Sequence, residues 1–228
     1  MAKSKLIGTK APAVVLRTRV KDENGIYDWQ DVNTRDLFKD RRVVLFALPG
    51  AFTPTCSNEQ LPGFERNYKA FRKHVDEVYC LSVNDAFTMN AWGKELKIKN
   101  VKLLPDGSAK FTDKLGMLVA KDNLGFGARS WRYAVVINNG IIEAAFVEPG
   151  KRNNAPDDPY GESSPENVLA YLSTPIVEEA FTPKSAAKKT ASAKVKPANL
   201  RGSTTVKTQV TDSVTMVLDG DGTVINQN

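Results

Sequence analysis

The residues best suited to chemistry lie in one short stretch of the chain. The apolar run Val43–Leu48 has the length of a buried strand and ends at Pro49-Gly50, and a loop of turn-forming residues then leads to Cys56. Large apolar side chains recur after the cysteine at three- and four-residue spacing, at Leu61, Phe64, Tyr68 and Phe71. That spacing predicts an amphipathic helix. Cys56 is therefore expected in the first turn of a helix that leaves the C-terminal end of a strand.

This predicted position would make the Cys56 sulfur a nucleophile. The first turn of a helix has unpaired N–H groups and the positive end of the helix dipole. Both favour the thiolate over the thiol, and the thiolate is the reactive form. The alternative is a buried structural cysteine, because free cysteine is among the most buried residue types. The polar turn before Cys56 argues against that alternative.

Composition argues against several other kinds of site. The chain has 228 residues and a hydrophobic share of 41%, which suits a globular core. Its two cysteines, Cys56 and Cys80, do not form a Cys-x-x-Cys pair, which argues against a zinc site or a disulfide scaffold. A single histidine, His74, leaves too few nitrogen ligands for an ordinary catalytic metal. We therefore expect neither a metal nor another cofactor.

The sequence gives no sign of export or membrane insertion. No apolar run approaches ~20 residues, so no membrane span is expected. The first residues, Met1–Leu6, lack the apolar segment of a signal peptide. These features predict a soluble protein in the reducing cytoplasm.

Charge and composition divide the chain into three parts. The net charge is +6, of which residues 1–180 hold +2 (25 Lys and Arg against 23 Asp and Glu) and residues 181–228 hold +4 (7 against 3). We assign residues 4–174 to a folded domain, residues 175–202 to a basic linker rich in Ala, Lys and Ser, and residues 203–228 to a β-prone tail with a possible hairpin. The basic part lacks interleaved aromatic side chains, so nucleic-acid binding is not expected.

The order of the predicted elements indicates an α/β fold with helices on both sides of a mixed sheet. Asparagine–glycine pairs predict an N-terminal hairpin within residues 5–31 and a second hairpin between strands at Arg129–Asn138 and Ile141–Val147. Further strands are predicted at residues 42–48, 77–83 and 101–104. Helices are predicted from Cys56 to about Lys73, from a cap at residue 84 or 85 to about Leu96, over residues 109–118, and after the cap Ser164.

The active stretch resembles the peroxiredoxins. Pro49, Thr53 and Cys56 match the Pro-x-x-x-Thr-x-x-Cys signature of that family. The wider string, together with residues 80–87 and 132–136, is similar to the type II (atypical, peroxiredoxin-five-like) subgroup, and the resemblance covers roughly residues 4–173. It implies a thioredoxin fold and a thiol peroxidase for hydrogen peroxide and alkyl hydroperoxides. Cys56 would then be the peroxidatic nucleophile that becomes a sulfenic acid.

The resemblance also implies roles for the residues around the sulfur. The Thr53 hydroxyl and the backbone N–H groups of Thr55 and Cys56 would contact the peroxide, and Pro49 would shape the pocket. An arginine would supply fixed positive charge where charge develops in the reaction. Arg132 is favoured for this role because type II enzymes place the arginine directly before an aromatic residue that opens a strand. Arg129 is the alternative.

The family pattern leaves the rest of the cycle open. Cys80 is either a core cysteine or a second redox cysteine, and the loop before the last helix has none, so an external thiol donor, glutathione with glutaredoxin or thioredoxin, is expected. Gln60 stands where the family usually has histidine. Three phenylalanines that we expect to be exposed, Phe52, Phe87 and Phe126, fit a homodimer interface. The rival hypothesis is a non-catalytic redoxin module for peroxide sensing or scaffolding, with the basic tail as its partner-binding element.

Overall fold

The computed structural model describes residues 4–174 together with two short strands at 216–218 and 224–226. In chain order the strands are β1 (Val15–Lys21), β2 (Tyr27–Asn33), β3 (Arg42–Leu48), β4 (Glu77–Ser82), β5 (Lys102–Pro105), β6 (Leu118–Ala120), β7 (Ala128–Ser130), β8 (Tyr133–Asn138), β9 (Ile141–Val147), β10 (Met216–Leu218) and β11 (Val224–Asn226). The helices are α1 (Thr34–Phe38), α2 (Leu61–Arg66), α3 (Tyr68–Phe71), α4 (Ala86–Glu95), α5 (Lys110–Lys114) and α6 (Pro165–Ser173). A π-helical turn, Cys56–Gln60, precedes α2, and a 3₁₀ turn lies at Asp122–Leu124.

A mixed five-stranded sheet forms the centre of the fold. Its strand order is β5-β4-β3-β8-β9, in which β5, β4 and β3 run parallel and β8 and β9 are antiparallel to their neighbours. Separate hairpins are formed by β1 with β2 and by β6 with β7. The arrangement confirms the predicted mixed α/β thioredoxin fold.

The central strand β3 is apolar on both faces because both faces are covered. Residues 43–48 have no exposed surface. Alternate side chains enter two different cores, so that Leu45 packs in a cluster with Phe111 and Trp131, and Phe46 packs in a cluster with Phe64 and Trp92. Cys56 and Cys80 both belong to the Phe46 cluster. The two sulfurs therefore face the same core.

Capping residues fix the starts of three helices, and two of these caps, at residues 85 and 164, are predicted from the sequence. The side chain of Asn33 accepts a hydrogen bond from the backbone N–H of Arg35 at the start of α1. Asp85 does the same for the first turn of α4, and Ser164 for the first turn of α6.

Three predicted elements differ from the structure. The helix predicted over residues 109–118 is limited to α5, because Gly116 adopts a φ of 72° and β6 begins two residues later. The strand predicted at Arg129–Asn138 is divided at residues 131–132, because β7 pairs with β6 whereas β8 pairs with β3. The helix predicted from Cys56 to about Lys73 begins with a π-helical turn and ends with α3.

The polar segment of residues 148–163 is fastened to the domain at its end. The buried Glu148 carboxylate accepts hydrogen bonds from the backbone N–H groups of Gly161 (2.9 Å) and Ser163 (2.8 Å) and from the Ser163 hydroxyl (2.7 Å). At the middle of the segment, the Asn153 side chain accepts from Ala120 N–H at 2.9 Å. We call residues 148–163 the polar loop.

Outside the domain, β10 and β11 pair antiparallel. The predicted linker of residues 175–202 lies outside the described residues, so the three-part division of the chain stays a prediction. Within the described part of the chain, no helix has the length and apolarity that crossing a bilayer requires.

Replacing Glu148 by alanine should destabilise the domain by about 3 kcal/mol, because it leaves several buried donors unsatisfied. The measurement is the free energy of unfolding from urea denaturation. Glu162→Ala is the matched control, since that side chain is exposed. If Glu148→Ala lowers the free energy of unfolding no more than Glu162→Ala does, the hydrogen bonds of Glu148 do not stabilise the domain.

Candidate active site

Cys56 lies at the start of the helix that leaves β3. The chain becomes helical at Pro54, and a π-helical turn runs from Cys56 to Gln60. Short π segments occur inside helices, frequently at functional sites. Both Cys56 and Gln60 are fully buried, four residues apart on the inner side of the turn. Because the helix begins at Pro54, the N–H groups of Thr55 and Cys56 lie in its first turn, where no earlier turn supplies carbonyl acceptors.

Arg132 reaches this turn from the break between β7 and β8. Its Nη1 lies 3.5 Å from Cys56 Sγ and donates to Gln60 Oε1 at 2.5 Å. Its Nη2 donates to both carboxylate oxygens of Asp158 in the polar loop. Only 1% of the Arg132 side chain is exposed, against 43% for Asp158. The structure thus brings together the predicted nucleophile and the favoured arginine, and adds two partners.

The Cys56 thiolate and the Asp158 carboxylate stabilise the positive charge of Arg132. Burial by itself lowers the pKa of Arg132, but attraction to the Cys56 thiolate and to Asp158 outweighs burial and raises that pKa above its ordinary value. The guanidinium also lies 5.6 Å from the centre of the Tyr160 ring. Burial raises the pKa of Tyr160 to about 12, so its hydroxyl remains neutral beside the site.

The loop before the helix orients Thr53. Its Oγ1 donates to the carbonyl oxygen of Gly50 at 2.8 Å, which leaves the hydroxyl lone pairs to accept a proton from a ligand. The N–H of Ala51 donates to Asn84 Oδ1 at 3.0 Å, and Asn84 also accepts from Ser82 Oγ. Phe52 adopts a φ of 63° and is exposed, an uncommon backbone conformation for a bulky residue.

Pro49 and Thr55 border the same loop. Pro49 is buried directly after β3, whereas Thr55 is half-buried next to the cysteine. Ser57 N–H donates to the Thr53 carbonyl at 3.0 Å and closes the first turn.

Arg129 is held apart from the sulfur. Its Nη1 donates to the carbonyl oxygens of Val83 (3.0 Å) and Ala128 (3.3 Å), and the guanidinium lies over the Phe126 ring. Its Nε lies 3.8 Å from the point where a Cβ on Gly50 would be. Arg129 therefore lies beside the loop, whereas Arg132 contacts Cys56.

Cys80 lies opposite Phe46 in the central sheet and is fully buried. Burial, and to a lesser degree the negative charge of Cys56, raises the pKa of the Cys80 thiol well above its ordinary value. The two cysteines are free thiols. A thiol in this state is a poor nucleophile at neutral pH.

Two contacts of Arg132 were not found by sequence reasoning. In the sequence, Gln60 is distinguished only as a departure from the family pattern, although its position four residues after Cys56 predicts the same helix face. Asp158 lies in a polar loop without periodicity, and nothing in its local sequence distinguishes it from Asp157. Among the described residues, no group of three histidine, cysteine or acidic side chains is arranged to hold a metal ion.

Comparison with known proteins gives consistent results. Residues 6–162 match the family model described as Redoxin. A protein from Rhizobium etli named "Peroxiredoxin" is 60% identical over 171 residues, which are 73% of this chain and 96% of that protein. "Hybrid peroxiredoxin hyPrx5" of Haemophilus influenzae is 45% identical over 74% of this chain and 67% of its own length. The solved structure of reduced Prx3 from Vibrio vulnificus in complex with hydrogen peroxide is 36% identical, with a TM-score of 0.64 over 73% of this chain and 98% of that one.

Cys80 should be alkylated more slowly than Cys56 in the native protein at pH 7.5, because its raised pKa keeps it as a thiol, whereas Arg132 Nη1 lies 3.5 Å from Cys56 Sγ. The measurement is peptide mass spectrometry after brief treatment with iodoacetamide, with Cys56 as the internal comparison. Both cysteines should be modified once the chain is unfolded in guanidinium. Equal modification of the two in the native protein would contradict the expectation.

Proposed function

Because the chain belongs to the peroxiredoxins, which are thiol-dependent peroxidases, we propose that Cys56 is the sulfur that attacks the peroxide. The observation that carries this proposal is the distance of 3.5 Å between Arg132 Nη1 and Cys56 Sγ at a helix start. A positive charge at that distance stabilises the thiolate.

In the proposed first step, the Cys56 thiolate attacks the nearer oxygen of a hydroperoxide. An S–O bond forms, the O–O bond breaks, and the leaving oxygen departs with the electron pair and takes up a proton as water or an alcohol. The sulfur is oxidised by two electrons to a sulfenic acid, and the peroxide is reduced by two. Negative charge moves from sulfur to the leaving oxygen, so fixed donors must face both atoms.

The donors come from Arg132 and from the helix start. The Arg132 guanidinium and the N–H groups of Thr55 and Cys56 stabilise the developing charge. The Thr53 hydroxyl accepts the peroxide O–H, because its own proton is committed to Gly50. Pro49 restricts the pocket wall without offering a competing N–H.

We propose an external thiol for the second half of the cycle. A donor thiol condenses with the sulfenic acid, which releases water and forms a mixed disulfide, and a second thiol then frees Cys56. The thiol is glutathione with glutaredoxin, or thioredoxin. Burial of Cys80 and its raised pKa support an external donor over Cys80 as the resolving group.

The same proposal includes a homodimer and a cytoplasmic location. Phe52 and Phe87 are more than half exposed, whereas Phe126 is half-buried and gives no support; aromatic side chains are enriched at protein interfaces, so the first two support a surface that a second copy covers. A cycle that depends on free thiols fits a reducing compartment.

Cys56→Ser should abolish peroxide consumption, because serine forms no sulfenic acid. The measurement is a coupled assay with hydrogen peroxide, run separately with glutathione plus glutaredoxin and with thioredoxin plus its reductase. The unaltered chain should turn over with one of the donors. Cys80→Ser is the control and should keep most of the activity. Activity retained by Cys56→Ser would overturn the assignment.

Arg132→Lys should lower the second-order rate constant with hydrogen peroxide by about 100-fold or more, because an ammonium cannot bridge the sulfur, Gln60 and Asp158 as the planar guanidinium does. The measurement is stopped-flow reaction of the reduced protein with peroxide. Arg129→Lys is the matched control and should lose less than ~10-fold. A larger rate loss in Arg129→Lys than in Arg132→Lys would show that Arg129 supplies the positive charge at the sulfur.

A further inference from the structure

We propose that Asp158 is the permanent counterion of Arg132, a positioning residue that holds the guanidinium at the sulfur in every state of the cycle. The inference rests on the proposed roles of Cys56 and Arg132 and extends them. Neither the motif around the cysteine nor the segment around Arg132 contains this residue. Its evidence is the geometry of the polar loop.

The first step of the argument is the charge balance of the buried guanidinium. Arg132 has 1% of its side chain exposed, and a buried charge without an opposite charge is costly. The Cys56 sulfur supplies a negative charge only while it is a thiolate. It is neutral as a thiol, as a sulfenic acid and as a mixed disulfide. Among the described residues, Asp158 is the carboxylate that pairs with Arg132, and it takes no part in the redox steps of the sulfur.

The second step is that Asp158 is held in place and does not merely reach Arg132 by chance from a free surface loop. The polar loop is fastened before Asp158, where the Ala155 carbonyl accepts from the Lys121 ammonium and Asn154 N–H donates to Ala120. It is fastened after Asp158 by the Glu148 carboxylate. Tyr160, two residues on, covers the guanidinium with its ring.

The third step concerns which acceptors bind the two terminal nitrogens of Arg132. Nη2 is occupied by the Asp158 carboxylate, and Nη1 is shared by the Cys56 sulfur and Gln60. The carboxylate thus takes one end of the guanidinium and aims the other at the sulfur. The same negative charge also repels the thiolate, so Asp158 fixes the position of Arg132 at some cost to thiolate formation.

Other ionisable groups near Arg132 and Asp158 do not obscure the effect of the Asp158 charge on the Cys56 thiolate. Burial raises the pKa values of Cys80 on β4 and of Tyr160 in the polar loop, so both stay neutral near pH 7. The carboxylates of Glu59, Glu148 and Glu166 act on Tyr160 and are the same in every variant considered below.

The first test is the pH profile of Cys56 alkylation by iodoacetamide, followed by peptide mass spectrometry. Asp158→Asn keeps the shape and one acceptor oxygen but removes the charge, so the midpoint of the profile should fall by about 0.5 or more. Asp157→Asn is the matched control, because Asp157 pairs with Arg152 at the exposed surface, and its midpoint should not move. Asp158→Glu should return the midpoint toward that of the unaltered chain. An unchanged or raised midpoint in Asp158→Asn would overturn the proposal.

The second test is a double-mutant cycle on stability, which needs no peroxidase activity. Asp158→Asn is made in the unaltered chain at a pH where the sulfur is thiolate and in the Cys56→Ser background, where position 56 is neutral. The urea midpoint should fall further in the Cys56→Ser background, because Arg132 then has no anion. Equal losses in both would refute a counterion role. If peroxide reduction itself fails, both readouts still report on Asp158, so the two failures are distinguishable.

Discussion

The burial of the Arg132 charge is the constraint on which the site depends. A guanidinium with almost no exposed surface must find its partners inside the protein, and each partner comes from a different part of the chain. Cys56 and Gln60 come from the π-helical turn, and Asp158 comes from the polar loop. The break between β7 and β8 is what lets the side chain reach them, since neither strand includes residue 132. The Arg132 side chain therefore links the break between β7 and β8 to both the π-helical turn and the polar loop.

Gln60 affects how the net charge around Arg132 changes with pH. The resemblance to type II peroxiredoxins implies histidine at this position, and an imidazole can gain a proton near neutral pH. An amide cannot, so Gln60 accepts from Arg132 without adding a second positive charge at any pH. The net charge of the groups that contact Arg132 is consequently determined by the Cys56 sulfur and by Asp158. The pH dependence of the site is therefore simpler than it would be with histidine at position 60.

Local signals predicted much of this structure from the sequence. The apolar run of β3, the caps Asp85 and Ser164, and the asparagine–glycine turn between β8 and β9 act within a few residues, and the structure has each of them. The π-helical turn, the break before Arg132 and the contact with Asp158 depend on partners far away in the chain. No local pattern encodes which aspartate of the adjacent pair faces inward. The candidate nucleophile is predicted by its motif, whereas its electrostatic surroundings required the three-dimensional arrangement.

The two cysteines show that burial alone does not determine reactivity. Cys56 and Cys80 have no exposed surface and pack in the same core cluster. Cys80 lies within a strand whose backbone groups are paired to β3 and β5, so burial acts on it without compensation and raises its pKa. Cys56 has instead a helix start and a guanidinium at 3.5 Å. The difference between a structural thiol and a candidate nucleophile is therefore made by the charges that accompany each sulfur, and in this fold one arginine provides that difference.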